Sequence, residues 1–142
     1  MRTSVKLVMA LLSGSLLAWA VSERAAAVGA VAFGSTGDVA KDGYSIGINA
    51  NSSSEDDARK SAMDWCTSHG PKQTQAECEV VLIYHNQCAA EAQDPKAGTP
   101  GFGFALGESE DDAKKAAMAI CNASAGKGRR QFCKVVASLC DK

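Results

Sequence analysis

Two rhythms of apolar and polar positions run along residues 29–140, and each occurs twice. In "SEDDARKSAMDWC" (54–66), Ala58, Ala62, Trp65 and Cys66 fall at i, i+4, i+7 and i+8, one face of a helix. In "SEDDAKKAAMAIC" (109–121), Ala113, Ala117, Ile120 and Cys121 repeat that face 55 positions later, and nine of the thirteen residues are identical. Ser54 and Ser109 stand where an N-cap stands. Asp57 and Asp112, three residues on, are short-armed versions of a capping-box acid. The Ala residues let a helix approach a sheet closely, and Trp65 is expected to anchor the first helix in the core.

The second rhythm has a period of two. "GYSIGINA" (43–50) sets Tyr44, Ile46 and Ile48 against Ser45, Gly47 and Asn49, a half-buried strand. "GFGFAL" (101–106) alternates Phe102, Phe104 and Leu106 with Gly103 and Ala105. "CEVVLIYH" (78–85) and "CKVVASLC" (133–140) are β-branched runs of the kind expected in buried central strands. "GAVAFGSTGD" (29–38) and "CAAEAQDPKA" (88–97) open the two halves, and "KDG" (41–43) and "GTPG" (98–101) carry turn chemistry. The pattern predicts an α+β domain of two tandem β-β-α-β units, about 29–87 and 88–140. Two helices pack on an antiparallel or mixed sheet whose strand order is not readable.

The first residues belong to a different class. Arg2 and Lys6 precede an apolar run from Leu7 to Val21, and small residues follow, the pattern of a secretory signal peptide. Small-x-small rules place cleavage after Ala27, with Ala20 as the alternative. The expected division is a signal peptide over 1–27 and a single domain over 28–142, with no integral membrane segment after cleavage. The expected location is periplasmic or extracellular.

All six Cys lie beyond that point, an even number suited to disulfides in an exported chain. Cys66 to Cys78 and Cys121 to Cys133 both span twelve positions, and the 55-residue offset maps one pair onto the other. A duplicated unit keeps its internal bond, so Cys66–Cys78 and Cys121–Cys133 are expected, leaving Cys88 for Cys140. Zinc is disfavoured because no two Cys are closer than seven positions. With all six paired, no thiolate is left for catalysis.

The full chain carries a formal net charge of −1. Loss of Arg2, Lys6, Arg24 and Glu23 with residues 1–27 leaves 12 basic against 15 acidic residues, a net of −3. That balance argues against a nucleic-acid partner. The stretch "KGRRQFCK" (127–134), with Arg129 and Arg130, is locally basic and reads as a solvated loop.

The order "GAVAF", "GYSIG", acidic-Ala helix ending in Cys, "CEVV", "QCAA", "GFGFA", "CKVV" and terminal Cys resembles the bacterial secreted domain-of-unknown-function family 4189. The resemblance covers 29–140 and departs at Val28, where members often carry Trp. It implies an exported Cys-containing domain and brings no catalytic residues with it.

Candidate chemistry is thin. Glu55, Asp56 and Asp57, like Glu108, Glu110, Asp111 and Asp112, complement the positive end of a helix dipole, and neighbours about 100° apart cannot converge on one ion. No metal or other cofactor is expected. "GFGFALG" is not the dinucleotide fingerprint, and the acids beyond it would repel phosphate. His69 and His85 have no counterparts in the second half. Tyr44 and Phe102 occupy matching strand positions that could line a groove between the units. The reading is a non-enzymatic module that binds another protein or a cell-envelope component, inhibitor-like, immunity-like or a secreted effector. Tyr44, His85, Phe102, Arg129 and Arg130 are its candidate contacts. The alternative is a small secreted hydrolase using His85 or His69.

Overall fold

A computed structural model describes residues 27–141. The expected signal segment, including the Ala20 cleavage point, lies outside the described residues except for Ala27. In chain order the elements are β1 (Val28–Gly34), α1 (Val39–Asp42), β2 (Ser45–Ser52), α2 (Glu55–Ser68), α3 (Lys72–Gln75) and β3 (Glu79–Tyr84). There follow β4 (Cys88–Gln93), β5 (Phe102–Gly107), α4 (Glu110–Ser124), a 3₁₀ turn over Arg130–Phe132 and β6 (Lys134–Cys140).

The class is α+β, with two three-stranded antiparallel sheets, ordered β2-β1-β3 and β5-β4-β6. In each half the first strand is central, and the second and third flank it. The alternation of side chains along the central strands shows how the layers stack. On β1, Ala30 and Ala32 pack with Ala58, Ala62 and Cys66 of α2, while Val31 faces the other way. On β4, Cys88, Ala90 and Ala92 pack with Ala113, Ala117 and Cys121 of α4, while Ala89 faces the other way. Val31 and Ala89 meet in a third cluster with Tyr84, Ile46, Ile48, Leu82, Phe104 and Leu106. The two sheets therefore lie face to face, each covered outside by one helix.

The helix starts follow their residues. Ser54 Oγ accepts the Asp57 N–H at 3.1 Å, and Ser109 Oγ accepts the Asp112 N–H at 3.2 Å. The hydroxyls of Ser53 and Ser54 donate to Asp57 Oδ2, and Ser53 is the larger cause of an Asp57 carboxyl held below its usual range. The close helix–sheet contact depends on glycine. A Cβ on Gly47 would sit 2.0 Å from Ala62 O, and one on Gly103 would sit 2.5 Å from Ala117 O.

Two expectations are corrected here. "CEVVLIYH" and "CKVVASLC" form edge strands, and Val81, Val135, Val136 and Leu139 are substantially exposed. The central strands are the Ala-rich ones, because only small side chains fit beneath helices that come this close. Trp65 is 56 % exposed and does not anchor the core. Its indole is too large for the face occupied by Ala58, Ala62 and Cys66, so it lies at the rim, stacked on His69 with ring centroids 3.8 Å apart.

The disulfides are Cys66–Cys78, Cys121–Cys133 and Cys88–Cys140. The first two tie the last helical turns of α2 and α4 to the starts of β3 and β6, both with Cα atoms 6.1 Å apart. The third joins directly paired residues of β4 and β6. No Cys is free, and three disulfides suit an oxidising compartment.

Candidate functional site

Beside α2, two depressions open on the surface. One, of about 610 Å³, lies between α1, the end of α2 and the 94–101 loop, and is lined by Lys41, Tyr44, Trp65, His69, Gln93 and Thr99 among others. The second, of about 590 Å³, is a cleft lined by Ile46, Ile48, Trp65, Glu91, Val136 and Leu139 among others. Ile46 and Trp65 belong to both. The cleft runs between β2 and β6, an edge strand of each sheet, and the Asn51 side chain of β2 donates to the Cys140 carbonyl of β6 at 3.2 Å. Val136 is 48 % and Leu139 42 % exposed along its wall.

A polar cluster inside the sandwich joins the two depressions: Glu91 lines the cleft, and Tyr44 and Gln93 line the first depression. Glu91 sits in the middle of β4 on the face turned toward the other sheet, and is only 8 % exposed. Tyr44, just before β2, donates its hydroxyl to Glu91 Oε1 at 2.7 Å. Gln93 Oε1 lies 2.5 Å from the same phenol oxygen. One phenol proton serves one acceptor at a time, and a half-turn of the amide would present its N–H instead. Burial raises the Glu91 carboxyl above its ordinary value, and the Tyr44 hydrogen bond opposes that shift in part. Tyr44 is pushed up first by burial, then by the neighbouring Glu91. Among the described residues no Lys, Arg or His nitrogen lies within ion-pair distance of Glu91. The hydrogen bond that Glu91 accepts from the described residues is to Oε1, and 8 % of the residue stays exposed.

The structure unites some of the candidate residues and separates others. Tyr44 and Phe102 meet across the two halves with ring centroids 4.0 Å apart, and Phe33 and Phe104 complete the aromatic group. Arg129 is only partly solvated: its guanidinium makes a two-pronged contact with buried Asp94, at 2.5 and 2.7 Å, and lies over the Phe132 ring. The basic loop reading therefore fails at Arg129, because Asp94 needs a cation once it is buried, and holds at exposed Arg130. The Arg129 hydrogen bond holds the Asp94 carboxyl down at about 2.

His85 lies elsewhere, with Nε2 3.6 Å from Glu55 at the start of α2. His69 Nδ1 faces Trp65 O at 3.0 Å and Ser68 Oγ at 3.1 Å. The Ser68 hydroxyl is directed at the carbonyls of Asp64 and Trp65, so this pair holds no activated nucleophile. No group of three or more His, Cys, Asp or Glu among the described residues could hold a metal ion. No described helix is long and apolar enough to cross a membrane.

Glu91 escaped the reading of the sequence. Its signal is a lone acid at an alternating position inside the small-residue run "CAAEAQ", which faces a helix on one side and a second sheet on the other.

The family model for a domain of unknown function, DUF4189, matches residues 20–140. The chain belongs to that family. Neither a curated protein nor a solved structure matches it. DUF4189 membership brings no activity with it, so any functional reading rests on the geometry above.

Proposed function

We propose that this DUF4189 protein is an exported binding module without catalytic activity, periplasmic or extracellular, whose partner is another protein or a cell-envelope component. The β2–β6 cleft is its contact surface. The observation that carries the reading is an apolar opening between two edge strands, lined by an indole more than half exposed. Exposed apolar side chains gathered in one place mark contact surfaces rather than ordinary exterior. Trp is favoured where one residue must supply much of a contact. The signal-like start and the three disulfides support export. No observation favours the hydrolase reading.

The test is co-purification from periplasm or culture fluid with the wild-type protein and Trp65→Ala as parallel baits. The expected result is a component retained by the wild type and lost from the variant, with both baits equally folded. Equal retention by both would remove the cleft from the contact.

A further inference from the structure

We propose that the cleft receives a Lys or Arg side chain of a partner protein, its charged head seated against Glu91 and its aliphatic stem against Ile46, Ile48, Val136 and Leu139. This rests on the binding reading and names the chemistry of the bound group. A carboxylate taken out of water is costly unless it is paired and hydrogen-bonded. Glu91 has a hydrogen bond from Tyr44 on Oε1, but among the described residues no cation pairs with it. Among the described residues, Glu91 is the one charged residue lining a cleft otherwise formed mostly by aliphatic side chains.

The complement of that shape is a cation on an apolar stem, which only Lys and Arg provide among side chains. A hydrated metal ion does not suit it, since hard cations need several oxygen ligands and one carboxylate is present. A neutral donor would make a hydrogen bond but leave the charge uncompensated, whereas charge-assisted bonds are about twice as strong. Trp65 at the rim adds a ring face to which a cation is attracted. β2 and β6 are edge strands, the kind of element to which an extended partner segment adds and a free amine does not.

The test is a ¹⁵N-labelled titration with three probes of similar size: n-butylguanidinium, n-butylammonium and n-pentanol. Both cations are expected to shift the amides of Ile46, Ile48, Glu91, Val136 and Leu139 and the Trp65 indole, at least about tenfold more tightly than the alcohol. In Glu91→Gln, which keeps the volume and an acceptor for Tyr44, that preference should fall to within about twofold. The comparison of probes on the wild type stands even if the variant does not fold.

Equal affinity for pentanol overturns the proposal while leaving an apolar contact surface in place. Shifts confined to other residues, or none at these residues with any probe, also overturn it. Loss of the co-purified component in Trp65→Ala but not in Glu91→Gln would sink the cation pairing and spare the binding reading.

Discussion

Removing Cys88–Cys140 should cost more stability than removing either local disulfide. In chain-entropy terms a cross-link works on the unfolded chain, and its effect grows with the logarithm of the loop it closes. Cys66–Cys78 and Cys121–Cys133 each span 12 positions, which gives about 3 kcal/mol apiece, while Cys88–Cys140 spans 52 and gives about 4 kcal/mol. The paired Cys→Ala variants make a fair comparison because every bridge has one fully buried partner: Cys66, Cys121 and Cys88. The packing loss is therefore similar in all three. The assay is urea unfolding of the three variants without reductant, followed by circular dichroism. The local variants should agree with each other, and the Cys88/Cys140 variant should be weaker than both by about 1 kcal/mol. A Cys88/Cys140 variant as stable as the local ones would refute the entropic reasoning. A large gap between the two local variants would refute the equivalence of the two helix anchors.

Other outcomes follow from single contacts. Gly47→Ala and Gly103→Ala should each destabilise by about 1–3 kcal/mol, since the new methyl meets the carbonyl of Ala62 or Ala117; neutral variants in thermal unfolding would show that the helices can retreat. Tyr44→Phe leaves Glu91 Oε1 without its donor and should cost about 1–3 kcal/mol, checked by urea unfolding. The depressed Asp94 carboxyl contributes stability that is complete above its ordinary value of 3.8 and is lost as pH falls toward about 2. The stability gap between wild type and Asp94→Asn should therefore shrink across that window, and a gap independent of pH would assign the contribution to packing.

The helices were legible because their signals are local. Caps, an apolar stripe and a terminal Cys lie within thirteen residues, and the echo of "SEDDARKSAMDWC" repeats them. The spacing of Cys66, Cys78, Cys121 and Cys133 carried over to the structure for the same reason. The ranking of strands was not legible. Hydrophobicity normally tracks burial, but here the helices come so close that Ala30, Ala32, Ala90 and Ala92 fill the centre, and the Val-rich runs are left at the edges. Close packing also excluded Trp65, which shares the stripe of Ala58, Ala62 and Cys66 but not their size. The cleft was hidden because it arises between strands of different halves, and Glu91 becomes unusual only once a second sheet covers it. Tyr44 and Phe102 were visible as matching positions, whereas the pairing of Arg129 with Asp94 joins residues 35 apart and leaves no local trace.

The most direct test of the cleft as the contact surface is site-specific photo-cross-linking in the producing cell. A photoreactive residue at Val136, in the cleft wall, is compared with one at Lys115, exposed on the opposite helix α4. A discrete cross-linked product is expected from position 136 and none from position 115. Products from position 115 alone, or from neither position, would contradict a contact surface in the cleft.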